Sequence, residues 1–241
     1  MRRLLVGLCW VIVPWYLLSL VVGARVLPFP HLVAMRFASL SASILWMHAG
    51  ASFLRVIGAL AAASAIAIPL GLLMGRSPGL DRFLAPAAYL LYPVPKIALL
   101  PVLLLLLGTG DLTRVTLVAL VLVFQLLLAV RDGARAVDAH YLLSLDSLGA
   151  TKVDHLRYCI WPVVLSRLLT AMRIGTATAL AVLFFAETFF TRFGLGYFII
   201  DSWMRLAYLD MYAGIVAMSL LGFAMFIVID RIERRVGRWR E

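Results

Sequence analysis

The chain has 241 residues, 64% of them hydrophobic and only 14% charged, with a net charge of +10. A soluble domain carries about a quarter charged residues, so this composition excludes an ordinary water-soluble globule and points to a membrane. The basic balance raises nucleic acid as a partner. However, 20 of the 22 cations are arginines scattered at the edges of apolar runs, with no basic stripe and no nucleic-acid-binding module.

From the N-terminus, Arg2 and Arg3 precede an apolar run at 4–24, long enough to cross a hydrocarbon core of about 30 Å. A cleaved signal peptide is the alternative, and the length of the run favours a retained first span. Residues 25–53 are of mixed polarity and carry Pro28, Pro30 and Arg36. They are expected to lie outside, partly as an interfacial helix with Trp46 near the headgroups. A second span at 54–75 is rich in alanine and glycine and suited to close helix packing. Ser77-Pro78-Gly79 marks a turn at 76–82. The third span, 84–107, is broken by Pro86, Pro93, Pro95 and Pro101, and a tight loop follows at 108–111. A fourth span covers 112–130, a fifth 168–190 and a sixth 211–229. Between the last two lies a second external segment, 191–209, and a basic tail closes the chain.

The longest interruption, 137–173, reads as two short amphipathic helices. Tyr141, Leu142, Leu145 and Leu148 recur at helical spacing. Gly149 stands where a left-handed C-terminal residue is expected. Thr151 and Asp154 have the spacing of a capping box. Val153, Leu156 and Ile160 form the second helix, and Trp161-Pro162 is expected to end it. With the N-terminus inside, fifteen basic residues fall in inner segments and six in outer ones, among them Arg55 and Arg114. That bias predicts both termini and the 137–173 knob in the cytoplasm.

Lys96 lies near mid-membrane beside Pro95, where a charge costs about 2.5–3.5 kcal/mol and needs a cavity or freed carbonyls. It reads either as a residue lining or gating a solute path, or as a lysine satisfying carbonyls freed by proline. Glu187, towards the outer end of the fifth span, reads either as an interfacial carboxylate or arginine partner, or as part of an outer gate. Neither lysine, Lys96 or Lys152, sits in a phosphate-binding loop, so ATP chemistry of that kind is absent from the chain. The four histidines and two cysteines form no metal-ligand spacing, and no serine has a nucleophile-elbow setting. A catalytic site and a metal are therefore not expected.

Leu148-Gly149-Ala150, followed by Ile160-Trp161-Pro162 and Met172-Arg173, resembles the cytoplasmic "EAA" loop of membrane permease subunits of bacterial ABC importers. Further stretches resemble the sulfonate/taurine/nitrate-type branch of that family. They are Ser52 to Arg55 with Gly71 and Gly75, Pro93 to Pro101 with Gly108-Thr109-Gly110, Ala186-Glu187-Thr188, Gly194 to Tyr197, and Glu233 to Arg235 with Trp239. The likeness runs from about residue 50 to the end. It departs from the family where Leu143-Ser144-Leu145 replaces Glu-Ala-Ala, with Asp146 close by, and where Ser166 replaces a second proline.

The resemblance implies an all-α membrane protein of about six transmembrane helices with cytoplasmic coupling helices, the type I ABC importer permease (MetI-like) fold. With the apolar runs read above, it gives residues 1–53 as a first span and external segment, 54–230 as a core permease domain of five spans with its coupling loop at 137–167, and 231–241 as the tail. It implies a non-enzymatic permease in the bacterial inner membrane, acting as a homodimer. The expected partners are cytoplasmic ABC ATPase subunits, which bind ATP and magnesium, and a periplasmic or lipid-anchored solute-binding protein. Tyr141, Leu142, Leu143, Leu145, Asp146, Leu148, Gly149, Ala150, Thr151 and Pro162 would make the ATPase coupling surface. Lys96, Pro95 and Glu187 would belong to the translocation pathway or gate. The alternative is an ATP-independent channel or secondary carrier in which Lys96 and Glu187 carry the coupling charge.

Overall fold

The computed structural model describes residues 2–236; Arg238, Trp239 and Arg240 of the expected tail lie outside the described residues. Every regular element among the described residues is helical. Helix α1 is Arg2–Val22, α2 Pro30–Ser41, α3 Leu45–Arg76 and α4 Pro78–Leu91. A 3-10 turn, Lys96–Leu99, leads into α5, Leu100–Leu107, and α6 is Asp111–Arg135. Helix α7 is Ala139–Ser147 and α8 Lys152–Asp154; a π turn at His155–Ile160 joins α8 to α9, Trp161–Glu187. Helix α10 is Leu195–Met204 and α11 Tyr208–Val236.

Among the described residues, four helical runs are long and apolar enough to cross a membrane: α3, α6, Lys152–Glu187 and α11. Helix α4 and Lys96–Leu107 pass the same test only as a pair, bent by 82° at their break, the shape of a broken span or of a re-entrant loop. Helix α1 contributes a shorter apolar stretch, Cys9–Val22. Against the expected six spans, the described residues thus hold four straight ones, up to five with the bent pair, and a first apolar helix shorter than a span.

Two local expectations are corrected. Helix α3 begins at Leu45 and α6 at Asp111, ahead of the apolar runs at 54 and 112. Arg55 and Arg114, expected in outer segments, therefore sit inside helices and are only 5% and 2% exposed. The second correction concerns Trp161-Pro162, which does not end a helix: the chain stays helical from Lys152 to Glu187. Proline lacks an N–H and crowds the carbonyl four residues back. The wider π turn just before it relieves both demands.

The chain divides into two compact units. One comprises Met1–Phe53 and Glu187–Leu221. Its core gathers Leu40, Leu45, Leu195, Phe198, Ala213 and Ala217. Arg36 of α2 donates from Nε and Nη2 to the two carboxylate oxygens of Asp210 at 2.5 and 3.1 Å. That side-chain hydrogen bond, helped by the Asp210 charge, raises the Arg36 pKa above its ordinary value.

The other unit comprises Leu54–Ala186 and Gly222–Glu241. Here α3 meets α6 through its small residues, as the alanine- and glycine-rich composition predicts. A methyl group at Gly71 would lie 2.7 Å from a methyl of Val130, and one at Gly75 would lie 2.5 Å from that of Ala134. Lipid supplies no hydrophobic drive between spans, so close contact and buried polar pairs must hold them. Asp81 of α4 accepts from Arg131 Nε, from Arg131 Nη2 at 2.9 Å and from Arg135 at 3.1 Å. Arg131 also donates to the Tyr89 hydroxyl at 2.9 Å. Further along, Arg173 reaches Asp230 at 2.8 Å and Glu233 at 3.3 Å.

Candidate functional site

The 137–173 stretch folds as a braced knob. Asp138 caps α7 by accepting from the His140 N–H at 2.9 Å. Gly149 then takes φ +76°, a conformation that glycine adopts without a Cβ penalty. Its N–H donates to Asp146 O at 2.9 Å and that of Ala150 to Leu145 O at 3.1 Å, a complete Schellman closure. Thr151 and Asp154 form the expected capping box: the Thr151 N–H donates to Oδ2 of Asp154 at 2.8 Å, and the Asp154 N–H donates back to Oγ1 of Thr151 at 3.4 Å. Asp146 Oδ1 stands 2.9 Å from His155 Nε2, linking the two short helices.

The apolar face anticipated on α7 divides in two. Leu142 and Leu145 are half-buried, while Tyr141, Leu143 and Leu148 are exposed, Leu148 by 82%. Val153 and Tyr158 are exposed on the second helix, whereas Ile160 is buried. Ala150 and Pro162 are half-buried, and Thr151 is exposed. The knob thus presents a set of large apolar side chains on a frame fixed by its own caps.

The broken span is organised by Lys96. Its Nζ donates to the carbonyls of Leu91 and Tyr92 at 2.8 Å each and of Val94 at 3.2 Å, and lies 4.9 Å from the Phe124 ring centre. Pro95 lacks the N–H that would otherwise take the Leu91 carbonyl, so the ammonium fills a place that the proline opens. Lys96 also lines a cavity of about 380 Å³ with Tyr92, Val121, Gln125 and Thr178. These bonds match the reading of Lys96 as a lysine that satisfies carbonyls beside proline, and the same side chain borders the cavity.

Glu187 is fully buried and holds the Gly194–Tyr197 turn. Ser52 Oγ donates to its carboxylate, standing 2.8 and 2.9 Å from the two oxygens, and the Gly196 N–H donates to Oε2 at 2.8 Å. Ser52 Oγ in turn accepts from the Leu195 N–H at 2.9 Å, and His48 Nδ1 accepts from the Gly194 N–H at 3.1 Å. Gly194 has φ +133°, and a Cβ there would collide with the Glu187 carboxylate. His48 was not singled out in the sequence, and Ser52 was named only as the start of the stretch to Arg55, with no role of its own. Their one signal is the four-residue spacing of two polar groups on the first turns of α3, inside a segment whose mixed polarity reads as external.

The family described as "Binding-protein-dependent transport system inner membrane component" matches residues 67–238. The taurine transport system permease protein TauC of Escherichia coli K12 is 31% identical over 81% of this chain and 71% of its own. The putative aliphatic sulfonates transport permease protein SsuC of Bacillus subtilis is 27% identical over 91% of this chain and 80% of its own. The formylaminopyrimidine transport permease protein ThiX of Halalkalibacterium halodurans is 27% identical over 94% and 91%. In solved structures, a chain of the MetNI methionine ABC transporter in an inward-facing conformation shares the fold. Its TM-score is 0.66 at 18% identity, covering 81% of this chain and 98% of that one.

Proposed function

The chain belongs to the family of binding-protein-dependent transport system inner membrane components, and from that premise we propose that residues 137–167 couple it to a cytoplasmic ATPase. It is a permease component of an ABC transporter. In the proposed assembly, two copies form the solute pathway. Two ATPase subunits bind ATP and magnesium, and a periplasmic or lipid-anchored protein delivers the solute. Both termini and the knob lie in the cytoplasm, on the side that the positive charge favours. The hydrolytic chemistry resides in the ATPase, and this chain acts as a two-state element that the ATPase biases.

The exposed apolar knob carries this reading. Tyr141, Leu143, Leu148 and Val153 are held outward by a closure at Gly149 and a cap at Thr151. An apolar face of this kind suits a groove on a partner protein. Leu142, Leu145, Ala150 and Pro162 would set it against the spans, and Asp146 would brace it through His155. Leu143 in place of the family's glutamate makes the contact more apolar. At the break, Lys96 and Pro95 shape the pathway wall; Glu187 fixes the turn at Gly194–Tyr197.

The competing reading, an ATP-independent channel or carrier, needs Lys96 and Glu187 to carry coupling charge. Each is instead engaged with backbone groups, which favours the importer. The test is purification of the detergent-solubilised chain from its native membrane, with and without Gly149→Pro. The importer reading expects an ATPase subunit to come down with the wild-type chain and to be lost with the variant. Recovery of both chains alone, each folded, sinks it.

A further inference from the structure

Two cavities in the second unit share one side chain. Gln125 lines the cavity at the Lys96 break and also a second one of about 380 Å³ that contains Asp132, Arg167 and Thr170. Along α6, residues 121, 125, 129 and 132 that line them are spaced by three and four. Along α9, residues 167, 170, 174, 178 and 182 repeat in the same way. Each set is therefore one helix face, and the two cavities form one track along both helices.

Gln125 lies in the middle of a span, where a polar amide is costly unless it meets protein or water. Among the described residues, its amide has no hydrogen-bond partner, and neither has the Thr178 hydroxyl. Elsewhere in the chain Ser64, Thr170 and Thr176 donate to the carbonyl four residues back, the usual refuge of a hydroxyl in a span. Thr178 forgoes it and faces the cavity. Lys96 is differently placed: its three hydrogens go to three carbonyls of the break.

The geometry points to Gln125 and Thr178 as the groups that meet a passing solute, with Lys96 positioning the wall rather than binding. This rests on the permease reading and adds the chemistry of the middle of the track: Gln125 and Thr178 offer a neutral hydrogen-bonding surface to a small polar solute, between Lys96 on one side and Asp132 and Arg167 on the other. Such a surface holds cargo weakly enough to release it, as conduction requires. A free ammonium in the same place would bind an oppositely charged group tightly and slow its exit.

The test uses the full complex in inside-out membrane vesicles, with Cys9→Ser and Cys159→Ser as background. Gln125→Cys, Thr178→Cys and Leu105→Cys are introduced singly and exposed to a trimethylammonium-ethyl thiosulfonate. Leu105 is 87% exposed on an apolar helix and serves as the lipid-facing reference. Only a thiol in contact with water ionises and reacts, so the thiols at 125 and 178 should be modified at least about tenfold faster than that at 105. Rates no faster than at 105 would overturn the inference. Co-purification of the ATPase with the same chains reports separately on the permease reading. An ATPase that comes down with an unreactive 125 thiol sinks this inference alone. Labelling without any ATPase keeps the lining and discards the importer.

Discussion

At the scale of single residues, two buried charges serve the backbone. Lys96→Met would leave the carbonyls of Tyr92 and Val94 without their donor, each an unsatisfied group worth about 1–3 kcal/mol, while Leu91 keeps the Val94 N–H. A lower thermal midpoint in detergent is the expected outcome; an unchanged midpoint would mean that water replaces the ammonium. Glu187→Gln keeps the side chain's size but loses charge-assisted bonds of about 1.5–3 kcal/mol each. Faster amide exchange at Gly194 and Gly196 than in the wild type is the measurement, with α6 amides as the unchanged reference. The role of Lys96 was legible, because a lysine directly after Pro95 has obvious carbonyls to serve. The partners of Glu187 were not. Ser52 and His48 lie 135 and 146 residues from what they hold, and no local pattern encodes a contact across that distance.

At the scale of elements, the knob depends on its turn. Gly149→Ala places a Cβ at φ +76° and should cost about 1–2 kcal/mol. The predicted result is faster amide exchange in α7 and weaker recovery of the ATPase, while the spans keep their helical signal. Both caps of this region were readable because they are written within a few residues: Gly149 after Leu148, Thr151 before Asp154. The passage through Pro162 was not. Proline argues for a break, and the π turn that accommodates it has no composition of its own. Helix starts were missed for a related reason. Hydropathy marks where a span becomes uniformly apolar, whereas α3 begins nine residues earlier at Leu45, in a stretch interrupted by His48, Gly50 and Ser52.

At the scale of the whole molecule, the spans are fastened by buried ion pairs as well as by small-residue contacts. Asp81→Asn would leave Arg131 in a protein interior without its carboxylate, at a cost of about 3–5 kcal/mol. Loss of folded protein from the membrane is expected, and Asp81→Glu should recover part of it. The orientation has its own check: Tyr141→Cys should react with an impermeant thiol reagent only in inverted vesicles, and Phe193→Cys only in intact cells. The membrane class and the order of the spans were legible from composition and apolar runs alone. The bent span was announced by its four prolines, but its 82° angle was not, since proline marks a break without fixing its direction. One consequence concerns cellular dosage. Tyr141, Leu143, Leu148, Val153 and Tyr158 are a sticky surface whenever no partner covers them. On the coupling proposed above, a copy made in excess of the ATPase would be a target for proteases and a seed for aggregates. The abundance of this chain should therefore follow that of its partner, and production of the two in equal measure becomes a requirement imposed by five side chains.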